Sequence, residues 1–209
     1  MATARGMKRT EAPVDVDVLR EEIRKTYTDV STDANQEFIF PPGRPWAEEL
    51  AYPQPELARV PEATVESFAG VANHWTLGRI EPGSVVLDLG CGAGTDLLIA
   101  AQMAGPNGRV IGVDMTTSML ERAQASAREM GVANVELHES LIERLPVVDD
   151  DSVDVVISNG VIDLVPDKDA VFDEIDRILR PGGRVQLADV VIHNEVSEDA
   201  RARIDLWTG

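Results

Sequence analysis

Two carboxylates bracket a run of glycines. Asp88 precedes Gly90-Cys91-Gly92-Ala93-Gly94, and Asp114 follows 20 residues after Gly94. A strand that stops at a Gly-x-Gly-x-Gly turn and restarts as a helix lets backbone approach a ligand closely, because no Cβ intervenes. The helix N-terminus adds N–H donors without intrahelical partners. Asp114 ends the next apolar run, VIGVD, where a carboxylate is placed to accept both hydroxyls of a ribose. The pattern predicts a nucleoside pocket. A dinucleotide turn carries its third glycine three residues after the second, but here Thr95 and Asp96 follow the turn. An acid on the strand before the turn also suits a cation better than a pyrophosphate. A sulfonium amino acid, with its free ammonium group, matches that acid.

The elements that must hold these residues are legible as alternation. VVLDL, RVIGVD (109–114), VELH (135–138), VDVVIS (153–158) and RVQLADVVI (184–192) are short β-rich runs. TDLLIAAQMA, SMLERAQASAREMG and KDAVFDEIDRILR carry helical periodicity between them. Such alternation predicts an α/β, Rossmann-like three-layer sandwich with a mostly parallel sheet of about five strands in the order 3-2-1-4-5. Gly131 and Gly182-Gly183 are expected to stop helices. Upstream, Val16, Leu19, Ile23 and Tyr27 have helical spacing. Prolines 41, 42, 45, 53, 55 and 61 predict a surface collar with at most short helices. Residues 61–75 then read as helical, with Val65, Phe68, Ala69 and Ala72 on one face. The expected organisation is a disordered tail (1–14), a helical, proline-rich lid (15–76) and a cofactor-binding domain (77–209).

Composition narrows the function classes. Asp plus Glu total 37 against 19 Lys plus Arg, a formal net charge of −18. That balance disfavours nucleic acid and anionic membranes and mainly serves solubility. A single cysteine, apolar runs too short for a bilayer and no apolar leader predict a cytoplasmic protein. Three scattered histidines and one cysteine predict no metal site. Asp149-Asp150-Asp151 reads as a solvated turn, and Asp167 as a helix cap.

In order and spacing, VLDLGCGAG, VIGVDMT, LPVVDDDSVDVVIS and ILRPGGRVQLADV resemble the class I S-adenosylmethionine-dependent methyltransferases. The resemblance implies S-adenosylmethionine as cofactor. It places Asp88 and the loop Gly90, Cys91, Gly92, Gly94 at the methionine part, Asp114 at the ribose and Met115 against the adenine. Many relatives have an Asp after the third strand that contacts the adenine amino group; here Leu141 falls there, which shifts that role to the backbone of Ile142 and the side chain of Glu143. Asn159 would line the methyl-transfer end, and Tyr27 could close over the sulfonium. The full fold of this class continues with two more strands, which are not found before residue 209; the apolar fifth strand is then expected to be covered by the C-terminal helix or by a homodimer partner, or else the sequence is a truncated product.

GRPWAEELAYP, VESFAGVANHW, VISNGVIDLVPDK and LADVVIHNEV with DLWTG further resemble the bacterial arsenite methyltransferases. These methylate trivalent arsenic held on thiolates, and this chain has only Cys91. A small-molecule acceptor is therefore expected, with three readings open: an arsenite-methyltransferase-like enzyme lacking its own arsenic-binding thiols, a carbon or oxygen methyltransferase of a quinone-like metabolite, or a catalytically silent cofactor-binding or truncated paralogue. The second needs a base, for which the chain offers Asp163, His193 or Tyr27. Trp46, Trp75 and Phe38 pack the collar or wall the acceptor.

Overall fold

The computed structural model describes residues 14–32, 42–194, 196–201 and 203–207. The expected tail and the collar residues Pro41 and Phe38 lie outside these, apart from Val14. Five strands, β1 (Val85–Leu89), β2 (Arg109–Asp114), β3 (Val135–Glu139), β4 (Val153–Asn159) and β5 (Leu179–Ala188), form one sheet in the order β3-β2-β1-β4-β5. Every pairing is parallel, as the strand–helix alternation requires.

The central strands are continuous apolar runs because both faces are covered. Val86, Val110, Val155 and Ile157 face α5 (Thr95–Ala104), α6 (Thr117–Glu129) and the collar residues Tyr52, Leu57, Val65, Phe68 and Trp75. On the opposite face, Leu87, Leu89, Ile111, Val113 and Val156 pack with Val171, Ile175 and Ile178 of α7 (Lys168–Ile178). Asp167 caps α7, accepting from Ala170 N at 3.0 Å. The chain leaves β1 towards β2 on one side and pairs with β4 on the other, opening a crevice beyond the carboxyl ends of the strands. Ahead of the sheet, α1 (Val16–Thr32) packs on α6, α2 (Arg44–Glu49) and α3 (Gln54–Leu57) follow, and α4 (Glu62–Val65) also meets α6. No described helix is long and apolar enough to cross a membrane.

Three local expectations are corrected. Residues 61–75 are not one helix: α4 ends at Val65, and a 3-10 turn resumes at His74–Leu77. The intervening backbone is held from outside, as Asn159 Oδ1 takes Val71 N at 2.8 Å and its Nδ2 donates to Ala72 O. Gly182-Gly183 does not stop a helix. Helix α7 already ends at Ile178, and the glycines sit in an irregularity of β5, where the register passes from Val153↔Leu179 to Val155↔Arg184. Gly182 turns that corner at φ +86°. The fifth strand also stops at Ala188, not 192, because the Asp189 carboxylate takes the amides of Val190 (2.8 Å) and Ile162 (3.0 Å). Val191 and Ile192 are left 71% and 70% exposed beside a strand that, among the described residues, pairs on one side only.

Candidate functional site

The glycine turn is laced to β2. Gly90 N and Cys91 N both donate to Val113 O (2.8 and 3.0 Å), and Gly92 N donates to Asp114 Oδ2 at 2.9 Å. The other Asp114 oxygen takes Thr116 N at 2.8 Å. All three glycines have positive φ, but for different neighbours. A Cβ on Gly90 would lie 2.5 Å from Val161, and one on Gly94 3.1 Å from Ala123, so these two permit element packing. A Cβ on Gly92 would meet nothing within 4 Å, so this is the backbone that faces open space.

Asp88 is 3% exposed, and its Oδ2 carries no hydrogen bond. Burial first, then the nearby Asp96 and Asp114 carboxylates, push its pKa well above the usual carboxylate range, against one backbone donor from Leu97. Asp114 is raised by burial too, with the amides of Thr116 and Gly92 opposing. The corner thus concentrates carboxyl groups, a crowding that a cationic group would relieve.

A cavity of about 1120 Å³, solvent at its mouth included, opens over this corner. Tyr27, Asp88, Gly90, Cys91, Gly92, Gly94, Asp114, Met115, Ile142, Glu143 and Asn159 all line it. The Tyr27 phenol is pushed up to about 12 by burial, then by Asp163, Asp114 and Asp189. The lone thiol, Cys91, is 7% exposed, with Sγ 2.9 Å from where a Cβ on Gly112 would stand. Burial, then Asp114 and Asp88, hold it well above its ordinary pKa, so it stays protonated near neutrality.

Two base candidates stand apart from the cavity wall. His193 is exposed beyond β5. Burial, then the neighbouring Asp189 carboxyl, raises Asp163 to about 7, while Lys168 opposes. Asn159 lines the cavity, but its side chain is engaged with the collar and donates to Tyr52 Oη at 2.7 Å.

Residue typing missed the group that ties collar to corner. Asp96, at the start of α5, accepts from Trp75 Nε1 (2.9 Å) and Tyr52 Oη (3.1 Å), and lies 3.3 Å from His74 Nε2. Its signal was an acid in the first turn of a helix, next to the glycines. Also missed was Arg20, which lines the cavity from α1 and donates to Glu143 Oε1 at 3.0 Å.

Residues 80–207 match the methyltransferase domain family. The arsenite methyltransferase of Halobacterium salinarum is 43% identical over 163 residues, covering 78% of this chain and 41% of that protein. That of Aquipseudomonas alcaligenes is 40% identical over 140 residues, covering 62% and 40%. The crystal structure of an arsenic(III) S-adenosylmethionine methyltransferase from Chlamydomonas reinhardtii superposes with a TM-score of 0.65 at 38% identity, covering 70% of this chain and 51% of that one. The chain thus spans about two fifths of the length of these curated relatives. With the parallel sheet, the glycine corner and its paired acids, the match leads to one assignment: the chain belongs to the methyltransferase domain family.

Proposed function

We propose that the chain binds S-adenosylmethionine and transfers its methyl group to a small acceptor, in the manner of the arsenite methyltransferases it resembles. The observation that carries this is the buried Asp88 Oδ2, which lacks a donor at the corner where Gly92 faces open space. An ammonium group would supply that donor and relieve the crowding among Asp88, Asp96 and Asp114. Asp114, with each oxygen already oriented by a backbone amide, keeps lone pairs for a ribose diol. Met115 and Ile142 offer apolar surface to the base. When bound, the cofactor supplies an electrophilic methyl on a positively charged sulfur. The chain's part is alignment and exclusion of water: Tyr27 and α1 cover the cavity, and the Asn159 clasp fixes the backbone of residues 71–72 beside it. A cytoplasmic location accords with the single unpaired cysteine.

The acceptor reading follows the chemistry present. An arsenic(III) acceptor needs thiolates, and Cys91, the one cysteine of the sequence, is buried with its pKa raised, so those thiols would come from outside this sequence. A second reading, methylation at oxygen or carbon of a protic acceptor, needs a base at the acceptor, and Asp163 and His193 stand outside the cavity wall. Transfer of radiolabelled methyl from S-adenosylmethionine to arsenite with glutathione, set against phenols and quinols, separates the two. Label in neither class, with the cofactor bound, would contradict methyl transfer by this chain.

A further inference from the structure

The strand order divides the cavity into two ends. Met115 and residues 140–143 follow β2 and β3 on one side of the glycine corner, whereas residues 159–166 end and follow β4 on the other. At the β4 end the wall is apolar: Phe68 and Ala69 of the collar line it together with Val161, Leu164, Val165 and Pro166. The stretches 67–70 and 159–166 bring no ionisable side chain to the lining. Their polar side chains are engaged elsewhere. Ser67 Oγ is buried. Asn159 Nδ2 donates to Tyr52 Oη at 2.7 Å and to Ala72 O at 2.9 Å, and its Oδ1 takes Val71 N at 2.8 Å. Trp46 Nε1 donates to Gly70 O at 2.7 Å, which holds the collar part of the wall in place. The electrostatic environment has a sign as well. Tyr27 lines the same cavity and packs on Ala93 and Met119. Its phenol is raised by burial and then by Asp163, Asp114 and Asp189, so carboxyl groups from β2, from the turn after β4 and from the end of β5 all bear on it. Lys168 Nζ, donating to Asp163 O and Val165 O at 2.8 Å each, offsets them only in part. Such surroundings disfavour an acceptor that arrives as an anion and favour one that leaves as a cation.

We propose that the β4 end of the cavity takes neutral thioethers and selenoethers as methyl acceptors, a further activity beside methylation of thiolate-held arsenic(III). The inference rests on the reading that the chain transfers methyl from S-adenosylmethionine, and it adds an acceptor class to that reading. A thioether has a soft lone pair and no proton to lose, so it needs no base in the wall. Its apolar substituents suit Phe68, Leu164 and Val165. The acceptor's lone pair forms the new bond to the methyl carbon while the bond from that carbon to the cofactor sulfur breaks. The bonding pair stays on the cofactor sulfur, which becomes a neutral thioether, and the positive charge passes to the acceptor as a sulfonium or selenonium. No proton is taken up or released. The charge inside the site is the same before and after transfer, so carboxyl groups that favour the cofactor's sulfonium favour the product cation too. A phenol or an alkyl thiol must instead shed a proton among Asp114, Asp163 and Asp189, where its anion is disfavoured. Arsenic(III) held on thiolates shares the neutral lone pair, so the two acceptor classes should be methylated together.

The test has a turnover arm and a binding arm, both on the full chain. In the first, S-adenosylmethionine with a radiolabelled methyl is offered diethyl sulfide, diethyl selenide, arsenite with glutathione, 1-butanethiol and phenol. Label should enter the sulfonium and selenonium cations and the arsenic product at least about tenfold faster than the thiol or the phenol. In the second, calorimetry at about pH 8, where the Asp163 carboxyl is ionised, measures diethylmethylsulfonium and diethyl sulfide binding to the protein saturated with S-adenosylhomocysteine. Asp163→Asn should weaken the cation by about threefold or more and leave the neutral sulfide within about twofold of its parent affinity. Leu164→Asn, which puts a polar group into the apolar wall, should weaken both without changing S-adenosylhomocysteine binding. Labelling of the thiol or the phenol as fast as the sulfide, or labelling of the arsenic product alone, overturns the assignment while methyl transfer stands. Equal affinity of the parent and Asp163→Asn for the cation overturns the electrostatic part of it. Label in no acceptor, with the cofactor bound, overturns methyl transfer and this inference together.

Discussion

Replacing Asp96 by Ala removes the acceptor on which two walls of the cavity converge. Two well-placed donors lose it, Trp75 Nε1 at 2.9 Å and Tyr52 Oη at 3.1 Å, and a weaker contact from Asn159 Nδ2 at 3.4 Å goes with them. Trp75 and Tyr52 are 7% and 1% exposed, so water cannot readily substitute. An orphaned buried donor costs about 1–3 kcal/mol, which gives about 2–6 kcal/mol for the pair. Removing the carboxylate also relieves its repulsion of Asp88, which places the net loss near the low end, about 2–4 kcal/mol. Against a domain stability of about 5–15 kcal/mol, that is a large fraction. Urea denaturation measures it, with an unchanged m-value showing that the cost falls on the native network. Trp75→Phe, which removes one donor and leaves Tyr52 paired, should lose less. A loss below about 1 kcal/mol in Asp96→Ala would refute the hub, because water or rearrangement would then be satisfying groups held to be sealed.

Other consequences are as direct. The Asp163 carboxyl is raised to about 7, so the unfolded chain ionises it first; its contribution is full below about pH 4 and is lost as pH climbs to about 7. Asp163→Asn should therefore gain thermal stability relative to the parent across that window and hold the gain above it, and an equal difference at pH 5 and pH 8 would contradict the carboxyl pairing. The Cys91 thiol should resist a disulfide-exchange reagent in the native protein and react fully in denaturant; rapid native labelling would reopen it as an arsenic ligand. Gly94→Ala places a side chain at φ +100° and 3.1 Å from Ala123, which should cost about 1–3 kcal/mol and weaken cofactor binding. A variant as stable as the parent would show that α5 and α6 separate freely.

The sheet was readable because its determinants are local. Apolar runs such as Val85–Leu89 and Val153–Ser158 are long enough to need cover on both faces, and the amphipathic segments between them provide it. The position of the corner was readable for the same reason: Asp88 lies in β1, Asp114 ends β2, and the three glycines fill the turn between β1 and α5. What escaped depends on distant partners. Asp96 matters because Trp75 and Tyr52 arrive from the collar, 21 and 44 residues earlier. Arg20 meets Glu143 across 123 residues. Gly182-Gly183 carries a turn signature, but tertiary pairing with Val153 and Val155 draws that stretch into β5. Val161 and Ala123, distant in sequence, stand where side chains on Gly90 and Gly94 would go, so the packing these two glycines permit was not legible locally.

The central claim is that Asp88 and Asp114 grip a positively charged nucleoside at the glycine corner. Titration of S-adenosylmethionine into the parent, Asp88→Asn and Asp114→Asn proteins, each first shown to be folded, tests it most directly. The account predicts saturable one-to-one binding by the parent and a loss of about tenfold or more in each variant, as expected of charge-assisted contacts removed from a buried site. Absence of binding by the parent, or variants that bind as tightly as it does, would contradict it.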